Sequence, residues 1–156
     1  MTTPPTPAPA IAEIIGIDHI YIAVSDLARS QAFYDLLLRD TLGFRKNRFT
    51  IGGDPHVQYF NRHFGYVLRP ARSARPNDAY SIGLHHLCLR VESVADVVAV
   101  AERLRTLGLA ASKAEPYPEY APDYWASFVT DPDGLRLEVT NYRQERRDRH
   151  DDWRSQ

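Results

Sequence analysis

The sequence predicts an α+β protein built from two tandem β-α-β-β-β modules. The first observation is an internal repeat, because residues 16–24 (GIDHIYIAV) return as residues 83–91 (GLHHLCLRV). A second repeat follows in the same order, since residues 41–44 (TLGF) return as residues 106–109 (TLGL). Self-similarity at a nearly constant spacing indicates duplicated structural units. Two copies predict a duplicated domain, since a solenoid needs at least three.

Each repeat is predicted to be a strand whose histidine lies on the face away from a covering helix. Residues two apart in a strand share a face, and one face of both repeats is wholly apolar. These apolar residues are Ile20, Ile22 and Val24 in the first repeat, and Leu87, Leu89 and Val91 in the second. The opposite faces carry His19 and Tyr21 in the first repeat, and His86, Cys88 and Arg90 in the second. Two facing copies would bring both histidines into one cleft.

The first module, residues 14–70, is predicted to hold one helix among four strands. Ser25 and Asp26 are favourable helix N-cap residues, and Gly43 is a typical residue after a helix end. Between them, large apolar residues recur at helical spacing: Leu27, Phe33, Tyr34, Leu37 and Leu38. The predicted strands are 17–24, 44–51, 57–61 and 64–69.

A linker of mostly small and polar residues, 71–82, leads to the second module, residues 83–142. Ser93 and Asp96 have the spacing of a capping box, so a helix is predicted from there to Leu107. After the strand of the repeat itself, further strands are predicted at 110–115, 124–130 and 135–141. The module therefore repeats the element order of the first.

The last predicted strand carries a carboxylate toward the cleft. Its covered face is formed by Leu135, Leu137 and Val139, so Arg136, Glu138 and Thr140 point the other way. An unpaired charge is costly on the inner side of a sheet. A positively charged group is therefore expected opposite Glu138.

The composition predicts a single globular domain of ordinary size. The chain has 156 residues and a formal net charge of −1, which does not favour a nucleic-acid partner. It contains no apolar run of the roughly 18 residues that a membrane span requires. Its single cysteine is compatible with a cytoplasmic location. Residues 1–13 are expected to be a disordered leader without signal-peptide features, and residues 143–156 a charged tail, frayed or forming a solvated helix.

The duplicated module resembles the vicinal oxygen chelate superfamily, which includes glyoxalase I, fosfomycin-resistance transferases, extradiol dioxygenases and bleomycin-resistance proteins. The resemblance covers about residues 14–142 and rests on four motifs: IDHI (17–20), LHHL (84–87), DPDG (131–134) and LRLEV (135–139). It implies a curled mixed sheet around a metal-binding cleft. By position it also implies that His19, His86 and Glu138 are the metal ligands. His85 has the opposite strand parity and is expected to lie outside the cleft.

The fourth ligand position of glyoxalase I has no carboxylate counterpart here, because no glutamate occurs between Ile14 and Val91. The nearby candidates are His56, Gln58, His63 and Tyr66, and none has a convincing register. Two histidines and one carboxylate form a facial triad, which suits Fe(II) and is also compatible with Mn(II), Ni(II) or Zn(II). Open metal positions are typical of a catalytic site.

The expected function is a glyoxalase-like lyase, isomerase or transferase acting on a metal-chelated oxygen pair, with Glu138 as the catalytic base. One alternative is an Fe(II) extradiol-type dioxygenase, but Phe128 stands where those enzymes have a tyrosine, and no histidine occurs near residues 118–119. His56 and Tyr124 are the candidate substitutes for the missing groups. Another alternative is a metal-free protein that sequesters a small molecule, as bleomycin-resistance proteins do.

The substrate-binding candidates are Arg90, Arg136, Tyr21 and Tyr124, which share the cleft parity. The two arginines could bind an anion through their guanidinium groups or could form ion pairs with Glu138. Cys88 also has cleft parity but lacks an evident base, so it is not expected to be a nucleophile. Members of the family pair their modules within one chain or between chains, so a homodimer is possible.

Overall fold

The computed structural model describes residues 10–153. The predicted leader lies outside the described residues over its first nine positions, and the predicted tail does so over its last three. The predicted α+β architecture of two tandem modules is confirmed, and each module forms its own four-stranded mixed sheet.

The first module consists of four strands and one helix that ends in a wider turn. Its elements are β1 (His19–Val24), α1 (Leu27–Tyr34), a π-helical turn (Asp35–Arg39), β2 (Arg45–Ile51), β3 (Asp54–Phe60) and β4 (Gly65–Pro70). The strand order is β1-β4-β3-β2, with β1 parallel to β4 and the other neighbours antiparallel. Asp26 is the N-cap of α1, since its carboxylate accepts the backbone N–H of Arg29 at 3.0 Å.

The second module repeats this order and adds a helix. Its elements are β5 (Leu87–Val91), α2 (Val94–Thr106), β6 (Glu115–Pro116), β7 (Trp125–Thr130), β8 (Arg136–Asn141) and α3 (Gln144–Asp151). The strand order is β5-β8-β7-β6, with β5 parallel to β8. The capping box of Ser93 and Asp96 is present at the start of α2. Helix α3, in the predicted tail, has no buried residue.

The strand predicted at 110–115 is wrong in extent, because only Glu115 and Pro116 form β6. The segment before them runs beside β7 without a regular ladder. The Phe128 N–H donates to the Ser112 hydroxyl at 2.9 Å, and the Ser112 N–H donates to the Phe128 carbonyl at 2.9 Å. The Ser112 hydroxyl thus accepts a hydrogen bond that a backbone carbonyl would accept in a regular strand pair.

The apolar faces of both sheets pack into one core. It includes Val24, Tyr34, Leu37, Leu38, Tyr59, Tyr66 and Leu68 from the first module, and Val100, Leu104, Val129, Leu135, Leu137 and Val139 from the second. The faces that carry His19 and His86 lie outside this core. Within the described part of the chain, no helix is long and apolar enough to cross a membrane.

Buried hydrogen bonds join the two modules. The Tyr34 hydroxyl donates to the Asp131 carboxylate at 2.8 Å and accepts from the Tyr66 hydroxyl at 2.9 Å. Burial, followed by the charges and hydrogen bonds of Tyr66 and Asp131, raises the pKa of Tyr34 far above its ordinary value. Nearby, Gly134 has a φ of +91°, and a Cβ there would lie 3.0 Å from the Asn77 carbonyl oxygen. This turn therefore requires glycine.

Candidate functional site

The second module brings His86 and Glu138 together at the start of its parallel strand pair. β5 and β8 are in a register that places Cys88 opposite Glu138, and His86 immediately precedes β5. The His86 Nε2 lies 3.3 Å from the Glu138 Oε2. The Glu138 side chain is 5% exposed and that of His86 is 40% exposed. The two side chains thus form a partly open carboxylate–imidazole pair.

Tyr124 is the second partner of Glu138. Its hydroxyl donates to the Glu138 Oε1. Partial burial, followed by this hydrogen bond, raises the pKa of Tyr124 above its ordinary value. The tyrosine therefore stays protonated at neutral pH and orients the carboxylate as a hydrogen-bond donor.

The two cleft arginines predicted to bind substrate do not form ion pairs with Glu138. The guanidinium of Arg90 lies over the Tyr142 ring at 3.8 Å from the ring centroid. Arg136 is half-buried at the start of β8. Among the described residues, His86 is the only basic group within 4.0 Å of the Glu138 carboxylate. The basic group opposite Glu138 is therefore a histidine.

Cys88 lies beside Glu138 but is a poor nucleophile. The residue is partly exposed, yet the atoms packed around its sulfur and the negative charge of Glu138 raise the pKa of the Cys88 thiol to about 12. Because the thiolate is the reactive form, the thiol is inert at neutral pH.

The first module presents His19 on an exposed face. The His19 Nδ1 lies 2.6 Å from the Asp18 Oδ2, and the Tyr21 ring packs edge-on at 5.4 Å between centroids. A carboxylate at one ring nitrogen orients a histidine so that its other nitrogen can bind a metal. His86 has a comparable arrangement, because its Nδ1 lies 2.7 Å from the Nδ1 of His85.

The register explains why the first module offers no fourth carboxylate. Cys88 pairs with Glu138, and its repeat counterpart Tyr21 pairs with Val67. Val67 therefore occupies the position equivalent to Glu138, and it is 1% exposed. A buried valine has no atom that can bind a metal.

Of the four fourth-ligand candidates weighed from the sequence, two share the face of His19. Gln58 lies beside His19, since a Cβ built on Gly65 would be 3.4 Å from the Gln58 Nε2 and 3.5 Å from the His19 Cβ. His56 is buried and stacks on Phe49 at 4.9 Å between centroids. Of the others, Tyr66 belongs to the core, whereas His63 lies in the turn between β3 and β4 and lines the same surface pocket as His19 and Gln58.

The structure brings two of the three predicted ligands together and leaves the third apart. Within the described part of the chain, no group of three or more His, Cys, Asp or Glu side chains is placed to hold a metal ion. His86 and Glu138 are adjacent on one sheet, whereas His19 lies on the other. The predicted ligands thus fall into two groups, a first partial site with His19 and a second partial site with His86 and Glu138.

One residue of the second partial site was not identified from the sequence. Arg143 falls in the predicted charged tail, yet it is 7% exposed, and its guanidinium lies over the Tyr124 ring at 4.4 Å. No periodicity indicates this burial, because the residue follows the last strand and precedes α3.

Comparisons with known proteins agree with this architecture. A protein-family model described as the glyoxalase/bleomycin resistance protein/dioxygenase superfamily matches residues 16–139. The uncharacterized protein YaeR of Escherichia coli is 32% identical over 128 residues, covering 79% of this chain and 93% of that protein.

Two solved structures show the same fold. A glyoxylase/bleomycin resistance protein/dioxygenase domain from Frankia sp. EAN1pec superposes with a TM-score of 0.68 at 24% identity, covering 84% of this chain and all of that one. The fosfomycin resistance protein FosX of Listeria monocytogenes superposes with a TM-score of 0.62 at 18% identity, covering 86% of this chain and 99% of that one. The duplicated modules, their strand order and the family match lead to one conclusion: the chain belongs to the glyoxalase/bleomycin resistance protein/dioxygenase superfamily.

Proposed function

We propose that this protein is a metal-dependent enzyme in which His19 of one copy and His86 and Glu138 of a second copy hold a divalent metal ion. The observation that carries the proposal is the buried Glu138 carboxylate, which has only a histidine as a basic neighbour within 4.0 Å among the described residues. A buried carboxylate without a fixed positive charge is unfavourable, and a metal ion would supply that charge.

The donor atoms suit Fe(II), Mn(II), Ni(II) or Zn(II). Two imidazole nitrogens and one carboxylate oxygen form a facial triad for such ions, and Val67 leaves the fourth protein position without a donor. Bound there, the metal would polarise a pair of neighbouring substrate oxygens as a Lewis acid.

A second copy of the chain would unite the two partial sites. Both histidine-bearing faces are open, and apolar side chains are exposed in the segments that lead into them. Ile15 and Ile17 precede β1 with exposed fractions of 95% and 58%, while Ile82 precedes β5 fully exposed. Exposed apolar residues of this kind are typical of protein–protein contacts. A two-fold dimer would bury both segments and complete two equivalent sites.

Glu138 is proposed as the base. Its Oε2 lies 3.3 Å from the His86 Nε2, while the Tyr124 hydroxyl donates to Oε1. Glu138 would leave the metal and take a proton from a substrate carbon next to a carbonyl, and the electron pair would move to the carbonyl oxygen. Returning the proton to a neighbouring atom completes an isomerisation without any oxidant.

This redox-neutral reaction is favoured over ring cleavage by molecular oxygen. Phe128 pairs with Glu138 across β7 and β8, and a phenyl ring cannot transfer a proton. Of the two substitutes considered from the sequence, His56 is buried with its Nδ1 2.9 Å from the Asp54 carbonyl oxygen, and the Tyr124 hydroxyl already donates to Glu138. Ring cleavage would need such a group within reach of the bound diol.

The test combines metal analysis with a substrate panel. Protein loaded with each of the four metals should retain about one metal per chain after dialysis, and His86→Ala should lose it while keeping the fold. Methylglyoxal–thiol adducts and 2-oxo acids would be assayed beside catechols, with oxygen uptake recorded. Glu138→Gln should abolish turnover, whereas Glu102→Gln on the exposed face of α2 should not.

Three outcomes would count against the proposal. Catechol-dependent oxygen uptake that Glu138→Gln abolishes would identify a dioxygenase. Tight binding of a small molecule by a protein that retains none of the four metals would identify a sequestering protein. A metal held by His85 in place of His86 would refute the assignment of His86 to the cleft face of its strand and of His85 to the opposite face.

A further inference from the structure

Arg143 is a buried cation that has no counterion among the described residues. It directly follows β8, it is 7% exposed, and its Nε makes no hydrogen bond within the described part of the chain. No carboxylate of the described residues lies within the 4.0 Å that defines an ion pair with it. Burying an unpaired charge is strongly unfavourable, so a buried arginine of this kind is expected to have an anion beside it.

The guanidinium of Arg143 lies at the same partial site as Glu138. It covers the ring of Tyr124, and the hydroxyl of that tyrosine donates to Glu138. The arginine and the proposed metal ligand are thus linked through one tyrosine.

Arg147 on α3 is an arginine with a structural role and serves as a comparison for Arg143. Arg147 also lies over an aromatic ring, that of Tyr142, at 4.1 Å. Its Nη2, however, donates to the Glu92 carboxylate at 2.6 Å and to the Glu92 carbonyl at 3.0 Å. Arg147 therefore has its counterion within the chain, whereas Arg143 has none among the described residues.

We propose that Arg143 binds an anionic group of the substrate, a carboxylate or a phosphonate, next to the atoms that Glu138 and the metal act on. The inference rests on the proposed function for the place of the substrate, and it narrows the substrate class to small oxygenated acids. A guanidinium offers paired N–H donors that match both kinds of anion. The Tyr124 ring beneath it holds the group in place.

The test is calorimetric titration of the full-length protein with three probes: pyruvate, methylphosphonate and the neutral compound methyl pyruvate. The two anions distinguish a carboxylate site from a phosphonate site. Arg143→Met should weaken binding of the preferred anion about tenfold or more and leave binding of methyl pyruvate unchanged. Arg143→Lys should retain part of the anion affinity, because it keeps the charge. Arg147→Met is the matched control and should bind the anions as the wild type does.

A second measurement follows the Arg143 side chain itself. In ¹⁵N-labelled protein, the Nε–H signal that disappears in Arg143→Lys should shift on addition of the preferred anion. The proposal is overturned if the wild type binds neither anion, or if Arg143→Met binds all three probes as the wild type does. A signal that stays in place, or an equal loss of anionic and neutral probes in Arg143→Met, assigns Arg143 a structural role only.

The variant His86→Ala separates this inference from the proposed function. It removes a proposed metal ligand and leaves Arg143 intact. Anion binding that persists in His86→Ala, together with a metal content equal to that of the wild type, would support the arginine site while refuting the proposed metal ligands. If metal binding requires His86 but Arg143→Met does not change anion binding, the metal site is supported and the arginine site is refuted.

Discussion

A mixture of two inactive variants should restore metal binding if the site is shared between two copies of the chain. His19→Ala removes the ligand on the first sheet, and His86→Ala removes one on the second. In a two-fold dimer, each site would take His19 from one copy and His86 with Glu138 from the other. A dimer of the two variants then has one site with all three ligands and one site without either histidine.

The size of the recovery follows from this arrangement. With free exchange in an equimolar mixture, about half of the dimers contain one chain of each variant, and each of these has one complete site out of two. The mixture should therefore bind about a quarter of the metal that the wild type binds. A site built within one chain would recover nothing, because every chain lacks a ligand.

The assay is metal content after subunit exchange and dialysis against a weak chelator. Native mass spectrometry confirms that mixed dimers have formed. The control mixes wild type with an equal amount of the double variant His19→Ala/His86→Ala. If the site is shared, subunit exchange should lower the metal content from half to about a quarter of the wild-type value. If the site lies within one chain, exchange should leave the metal content unchanged. Mixed dimers without recovered metal in the first mixture would refute the shared site.

Three further predictions concern stability and reactivity. Tyr34→Phe removes the buried hydroxyl that bonds Asp131, and it should lower the free energy of unfolding by about 1–3 kcal/mol in urea titrations. Burial tends to raise the pKa of Asp35, but the Lys46 ammonium at 2.8 Å contributes to holding this pKa below its ordinary value of 3.8. The resulting stability is present above about pH 4 and is lost as the pH falls through the folded-state pKa, so Lys46→Met should cost about 1 kcal/mol at pH 7 and progressively less in acid. Cys88, with its raised pKa, should react with iodoacetamide at pH 8 far more slowly in the folded than in the unfolded protein.

Matched controls make these three measurements specific. Tyr80→Phe removes an exposed hydroxyl, since Tyr80 is 84% exposed, and should leave the unfolding free energy within about 0.5 kcal/mol of the wild type. Lys113→Met removes an exposed lysine without an ion pair among the described residues and should show no pH-dependent effect. The first prediction is contradicted if Tyr34→Phe and Tyr80→Phe lower the unfolding free energy equally. The second is contradicted if the stability lost in Lys46→Met grows as the pH falls. The third is contradicted if the Cys88 thiol reacts equally fast in the folded and unfolded protein.

Properties that depend on neighbours in sequence could be predicted from the sequence. Strand alternation has a period of two, so it places His19 and His86 on the faces away from the core without knowledge of what packs there. Helix starts depend equally on local chemistry, and the capping box at Ser93 is present as predicted. The prediction of a strand at 110–115 was wrong in extent, because the Ser112 hydroxyl accepts the Phe128 N–H where a regular ladder would use a backbone carbonyl.

The sequence by itself determined the duplicated α+β architecture and the face of each strand residue, because both follow from periodicity and repetition along the chain. Only the tertiary structure decided that Val67 stands opposite Tyr21, that His86 meets Glu138 while His19 lies on another sheet, and that Arg143 is buried. These relations join residues that are distant along the chain, and strand register depends on the packing of whole sheets. No local pattern carries that information, since the same alternation is compatible with several registers and with more than one pairing of the two modules.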